Sequence, residues 1–239
     1  MGRNHLQILP SPSTNSVLLA LLTLWIWPWA SLAQGKVHNS SDNLEPFHCS
    51  WKILRSRGNY PSSSVELDET GNAQIQWQKL DSELLRTNFR LRRSSVVFLY
   101  SLFSKSDFFD AKKNFVSDKK IADLGMKTIS FQKGSERREV SFNFTEDKAL
   151  QEINIFFENL AEQERFLLEM ELTLKYDRLG ITKKLDMLER ELSANRIVAP
   201  ERFKPILEQI SNDNSLINLA RKEALKLLAR LAKMEPEGS

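Results

Sequence analysis

The stretch TISFQKGSERREVSFNFTEDKALQEINIFFENL (residues 128–160) changes its hydrophobic period in the middle, and this change decides the fold. Up to Asn143, apolar and polar residues alternate on both sides of residues 133–136, which predicts a β-hairpin. From Thr145, which is expected to cap a helix, the apolar residues recur with a helical period. The predicted stripe comprises Ala149, Ile153, Phe156 and Leu160. A helix with such a stripe is expected to cover the apolar face of a sheet.

The chain before this stretch supplies the rest of the sheet. Alternating apolar and polar residues predict further strands at residues 47–57, 63–68, 73–78 and 85–93. The second and third of these strands form a hairpin across the turn residues 69–72. Ser94 or Ser95 is expected to cap an inserted helix, and the lysine-rich residues 111–126 predict a long loop.

The chain after this stretch is helical. The first helix is expected either to continue to Arg178 or to be jointed near Ala161, because its apolar stripe lapses at Gln163 and Glu164. Three amphipathic helices are predicted at residues 182–193, 200–210 and 216–231. The predicted fold is therefore α+β: a small, mostly antiparallel sheet with an inserted helix and a covering helix, followed by an α-helical C-terminal extension. The predicted boundaries are 47–160 for the sheet domain, 161–234 for the helical extension and 235–239 for the tail.

The first 33 residues have the features of a signal peptide. An apolar run at residues 17–30 is shorter than the roughly 20 residues that a membrane-spanning helix needs, and Pro28 interrupts it. Small residues at Ser31 and Ala33 suit signal peptidase, so cleavage is expected after Ala33. Residues 34–46 are polar and predict a flexible leader. The prediction is a secreted or periplasmic protein; the alternative is a membrane-tethered envelope protein anchored through an uncleaved 17–30 segment.

Composition narrows the possible partners. Without Arg3, the remaining 206 residues carry 33 basic and 31 acidic side chains, a net charge of +2. Such a balance provides no global attraction for nucleic acid or for an anionic membrane, so neither is expected as a partner of the cleaved chain. The single cysteine, Cys49, excludes an intramolecular disulfide, and an unreactive thiol is expected there.

Basic residues could still form a local surface. The candidates for binding an anion, an anionic polymer or a protein partner are Arg86, Arg90, Arg92, Lys112, Lys113, Lys119 and Lys120. The alternative interpretation is a solvated strand face and a soluble loop, which would explain the same residues without any ligand.

The sequence contains no convincing set of catalytic, cofactor-binding or metal-binding residues. The mature chain has two histidines, His38 and His48, and no glycine-rich phosphate loop, so no cofactor is predicted. The main alternative is a hydrolase that uses acidic residues between positions 107 and 123. Its candidate carboxylates are Asp107, Asp110, Asp118 and Asp123.

A series of short motifs between Ser63 and Leu160 carries a resemblance. In order, they are the hairpin around Gly71, the strand with Arg86, Ser106-Asp107-Phe108-Phe109, Ala122-Asp123, Thr128-Ile129-Ser130-Phe131, the turn at Gly134, and Val140-Ser141-Phe142 before a helix. This order resembles a small α+β domain of unknown function found in exported bacterial proteins, and the resemblance implies no activity. The expected function is a non-enzymatic binding or interaction module of the bacterial envelope or extracellular space.

The signal-peptide interpretation predicts the N-terminus of the exported protein. Expression in a bacterial host with an intact export system should yield a chain that begins at Gln34, because the apolar segment ends on Ser31-Leu32-Ala33. Intact-mass spectrometry of the exported fraction measures this directly. A chain that retains residues 1–33 and sediments with membranes would support the anchored alternative.

Overall fold

The computed structural model describes residues 44–80, 83–119 and 121–234. The predicted signal segment, most of the leader, Lys120 and the tail lie outside the described residues. The strands are β1 (Phe47–Leu54), β2 (Ser62–Asp68), β3 (Asn72–Gln78), β4 (Leu84–Arg90), β5 (Met126–Lys133) and β6 (Glu136–Phe142). They form one antiparallel sheet in the order β4-β3-β2-β1-β5-β6.

The sheet has one apolar and one polar face, as the period of two requires. In β1, Phe47, Cys49, Trp51 and Ile53 are buried, whereas the residues between them are exposed or half-buried. Trp51 pairs with Val65 on β2 and with Ile129 on β5, so the same row of the covered face continues across the sheet. On the opposite, uncovered face, the side chains of β1 to β4 are exposed or half-buried.

Helix α1 (Arg93–Lys105) leaves the β4 edge and packs across the covered face. Phe103 of α1 stacks on Phe131 of β5 with ring centroids 4.1 Å apart. The expected serine cap is wrong, because the helix begins at Arg93, directly after Arg92, and no side chain caps it. The chain then continues through residues 106–119 and 121–125, which form no helix or strand, to the other half of the sheet.

Helix α2 (Lys148–Tyr176) follows β6 and is continuous, so the jointed alternative is wrong. The expected cap at Thr145 is also wrong: the side chain of Asp147 accepts a hydrogen bond from the backbone N–H of Leu150 at 2.8 Å. Thr145 instead supports the entry turn, where its hydroxyl accepts from the backbone N–H of Asp147 at 3.2 Å.

Two buried clusters share α2. The first cluster joins the covered sheet face, α1 and the first half of α2, and it includes Ile153, Phe156, Phe157 and Leu160. The second cluster runs from Phe166 onward and includes the apolar faces of α3 (Ile181–Ser193), α4 (Lys204–Asn212) and α5 (Asn218–Met234). The predicted α+β class, with helices after the sheet, is therefore confirmed. Within the described ranges, no helix is both long enough and apolar enough to cross a membrane.

The change between the two clusters coincides with two buried polar residues, Gln163 and Glu164. The carbonyl oxygen of the Gln163 side chain accepts from the backbone N–H groups of Val198 and Ala199 at 2.9 and 2.8 Å. The carboxylate of Glu164 accepts two hydrogen bonds from Arg202 at 3.1 and 2.8 Å. The apolar stripe is therefore interrupted by a buried polar contact between α2 and residues 198–202.

This buried polar contact predicts a large effect of a single substitution on stability. Arg202→Met should leave the Glu164 carboxylate, 3% exposed, without its charged partner and should cost about 3–5 kcal/mol of unfolding free energy. The double variant Glu164→Met/Arg202→Met should recover most of this loss, because no uncompensated charge remains. Urea unfolding measures both.

The matched control is Arg196→Met, which removes an exposed pair with Glu191 and should cost less than about 1 kcal/mol. Equal losses of unfolding free energy for Arg202→Met and Arg196→Met would show that the buried polar contact has no special role in stability.

Candidate functional site

The structure separates the predicted basic residues into two groups. Arg86 and Arg90 lie exposed on β4, at one edge of the sheet, and both belong to its uncovered face. Arg86 makes no hydrogen bond or ion pair with any residue in the described ranges, whereas Nε of Arg90 donates to the carbonyl of Thr70 at 3.1 Å. Arg92 precedes α1 and pairs with Glu201, with 3.6 Å between Nε and Oε1.

The lysines lie at the opposite edge, beside β6 and the start of α2. Lys113 pairs with Asp147 at 2.9 Å, and Lys119 pairs with Glu146 at 2.5 Å. Lys112 is exposed in the same loop. Five interstrand steps separate β4 from β6, a distance of about 24 Å, so arginines and lysines do not form one surface.

Two of the four candidate aspartates, Asp110 and Asp123, accept hydrogen bonds from the backbone of their own loops. The Asp110 carboxylate accepts from the backbone N–H of Lys112 at 2.9 Å, and that of Asp123 accepts from the N–H of Gly125 at 2.9 Å and from Ser56 at 2.8 Å. The bond from Gly125, followed by that from Ser56, lowers the pKa of Asp123. Asp107 takes a left-handed backbone conformation after α1, and Asp118 is exposed. Nowhere in the described ranges do three acidic, histidine or cysteine side chains lie together as metal ligands would.

The uncovered sheet face contains a polar trough. Two adjoining depressions of about 320 and 510 Å³ lie over β1 to β4 and share Glu66. The name polar trough refers here to the side chains of the uncovered face that line them: His48, Ser50, Lys52, Ser62, Ser64, Glu66, Asp68, Asn72, Gln74, Gln76, Gln78, Leu84, Asn88 and Arg90. Almost every side chain in the trough therefore offers a hydrogen-bond donor or acceptor.

Strand register arranges the trough in rows. One row runs across four strands through Ser50, Glu66, Gln74 and Asn88. The next parallel row runs through Lys52, Ser64, Gln76 and Arg86. Adjacent members of a row are about 5 Å apart, so each row presents polar groups at a regular spacing.

Hydrogen bonds hold part of the trough in place. Nε2 of Gln76 donates to Oε1 of Gln74 at 2.8 Å, and Nε2 of Gln74 donates to Oδ1 of Asn88 at 2.9 Å. Asp68 is occupied by the β2–β3 turn, where it accepts from Thr70 and Asn72. Partial burial opposes these bonds, but together they outweigh it and lower the pKa of Asp68.

A further depression, about 450 Å³, lies between α1, α2 and residues 195–198. Phe98 and Ile155 are half exposed in it, which is unusual for large apolar side chains. Its lining is mainly apolar and therefore does not define the chemistry of a ligand, in contrast to the polar trough.

The sequence reasoning missed the trough residues other than Arg90. Their signal was present, because Gln74, Gln76 and Gln78 occupy the polar positions of an alternating strand. Their grouping with Ser50 and Ser64 depends on strand order and register, which the alternation does not specify.

No protein family matches the sequence, and the search of curated proteins found no match.

The environment of Cys49 predicts its reactivity. Its side chain is fully buried, and this burial, together with the nearby charge of Asp68, raises the pKa of the thiol. We expect no labelling by a water-soluble disulfide reagent in the native protein and one labelled thiol per chain in urea, measured spectrophotometrically. Rapid labelling of the native protein, absent in Cys49→Ser, would contradict the burial of this thiol.

Proposed function

We propose that this protein is an exported, non-enzymatic binding module of the bacterial envelope or extracellular space, and that the polar trough binds an acidic polysaccharide. The observation that carries the proposal is the pair of cross-strand rows of amide, hydroxyl and charged side chains on an uncovered sheet face. The signal-peptide features of residues 1–33 support export to a compartment where polysaccharides occur.

The hydrogen-bonding groups favour a ligand rich in hydroxyl groups. A sugar hydroxyl both donates and accepts, which matches amide groups such as those of Gln76 and Asn88. Gln76 bonds Gln74 in the neighbouring row, Asn88 bonds Gln74 in its own row, and both retain further donor or acceptor capacity. A β-strand of seven residues extends about 24 Å, so the trough suits a polymer rather than a single small molecule.

Charge at the β4 edge favours an acidic polymer. Arg86 is exposed beside the trough, and its guanidinium group can bind a carboxylate through two parallel hydrogen bonds. Arg90 and Lys52 add positive charge, whereas the nearby Asp68 is already occupied by its turn. Glu66, on β2, is the remaining acidic side chain of the trough. The edge at β4, with Arg86 and Arg90, therefore stays positively charged.

The other hypotheses have less support. A hydrolase built on residues 107–123 would need carboxylates that converge, but Asp110 and Asp123 bond to their own loops. An envelope protein tethered through residues 17–30 would present the same trough, so tethering is compatible with the proposed binding. The resemblance of residues 63–160 to a domain of exported bacterial proteins agrees with the proposed compartment and adds no ligand.

Affinity electrophoresis tests the proposed ligand class. Native gels that contain polygalacturonate should retard the protein, whereas gels that contain neutral dextran should retard it far less. Arg86→Gln should weaken retardation about tenfold or more in dissociation constant, since a hydrogen bond to a charged group contributes about 1.5–3 kcal/mol. Gln76→Ala should weaken it to a smaller extent.

Arg137→Gln is the matched control, because Arg137 is exposed on the same sheet face but on β6, outside the trough. This variant should be retarded like the unaltered protein. Equal weakening by Arg137→Gln would indicate non-specific attraction between charges, and absence of retardation by polygalacturonate would refute the proposal.

A further inference from the structure

Lys127 is a buried charge on the covered face of the sheet. It lies on β5 in phase with Ile129 and Phe131, and it is 5% exposed. Burial lowers the pKa of this amine, and the charge of Glu158 partly opposes the shift. A buried ammonium group is costly unless partners compensate for its lost hydration.

The partners of Lys127 are incomplete. Its Nζ donates to the backbone carbonyls of Leu124 and Asn143, each at 3.0 Å. An ammonium group has three N–H donors, and the third has no partner among residues 44–80, 83–119 and 121–234. Nor does Lys127 form an ion pair with a carboxylate in these ranges. The amine therefore retains one unused donor.

Lys127 lines a cleft of about 400 Å³ between the β5–β6 end of the sheet and the first three turns of α2. This volume falls within the roughly 300–1,000 Å³ that small-molecule sites occupy. Apolar walls come from Leu124, Phe142, Phe144 and Ile155. The cleft lies on the covered side of the sheet and is separate from the polar trough.

Asn154 places further donors in this cleft. The indole N–H of Trp51 donates to Oδ1 of Asn154 at 2.9 Å, and because an indole nitrogen only donates, this bond determines the orientation of the amide. Both N–H donors on Nδ2 of Asn154 lack a partner among the described residues. Together with Lys127 they form a set of donors suited to a carboxylate.

Glu158 supplies the opposite charge. It follows Asn154 by one helical turn on α2 and lines the same cleft. Its carboxylate makes no ion pair within the described part of the chain, although Lys127 is close enough for their charges to interact. The cleft therefore combines donors for an anion, an acceptor for a cation and apolar walls.

We infer that this cleft binds a free α-amino acid with an apolar side chain. The ligand's carboxylate accepts from Lys127 and Asn154, its ammonium group donates to Glu158, and its side chain packs against Leu124 and Ile155. A purely structural lysine would explain the two carbonyl contacts; the cleft adds to them the accessible amide donors of Asn154 and the carboxylate of Glu158.

Calorimetry with three probes tests this inference on the full chain. L-Leucine should bind saturably with one site per chain. At least tenfold weaker binding is expected for 4-methylpentanoate, which lacks the ammonium group, and for leucinamide, which lacks the carboxylate. Equal affinity for 4-methylpentanoate and leucine would overturn the assignment, as would absence of saturable leucine binding.

Variants separate ligand contacts from a structural role. Glu158→Gln should weaken leucine binding at least tenfold and leave 4-methylpentanoate binding unchanged. Asn154→Asp keeps an acceptor for Trp51, removes both amide donors and should abolish binding of both probes. These variants avoid replacing Lys127, whose loss could unfold the protein.

The matched control is Glu152→Gln, which neutralises an exposed glutamate on the same helix that lines the apolar depression instead. Leucine should bind this variant as it binds the unaltered protein. If Glu152→Gln and Glu158→Gln weakened leucine binding equally, the effect would reflect the general charge of α2, and the inferred site would be wrong.

Discussion

The burial of Gln163 and Glu164 in the middle of α2 is the constraint on which the rest of the structure depends. A single 29-residue helix contributes to two cores, and its apolar stripe must change partners where one core ends and the next begins. Polar groups at that point are tolerated only because Ala199 and Arg202 satisfy them. These hydrogen bonds hold residues 198–202 against α2 at the point where its apolar stripe passes from one core to the other.

The covered face of the sheet determines where binding surfaces can lie. Because α1 and α2 both pack on one side, the opposite side of six strands is left as a polar surface with a regular spacing. The same arrangement separates the basic residues, since α1 carries the chain from β4 across to the half of the sheet that ends in β6. Arg86 and Arg90 of β4 can contribute to the polar trough, whereas Lys113 and Lys119 near β6 pair with Asp147 and Glu146.

The inferred amino-acid cleft and the polar trough lie on opposite faces of the sheet and offer different kinds of interaction to a ligand. The trough offers many weak, water-accessible hydrogen bonds, which suits a long polymer that makes repeated contacts. The cleft offers one buried charge, whose interactions are stronger because little water screens them. Lys127 is found at the covered face because its two carbonyl partners, at Leu124 and Asn143, lie where the strands end.

The sequence by itself determined the α+β class, most of the elements and the apolar residues of α2, because periods of two and 3.6 are local properties of the chain. It also contained the signal for Lys127, a lysine in phase with Ile129 and Phe131. Only the tertiary structure decided the roles of Gln163 and Glu164 and the grouping of the trough. These depend on strand order and on contacts such as that between Gln163 and Ala199, 36 residues apart, which no local period specifies.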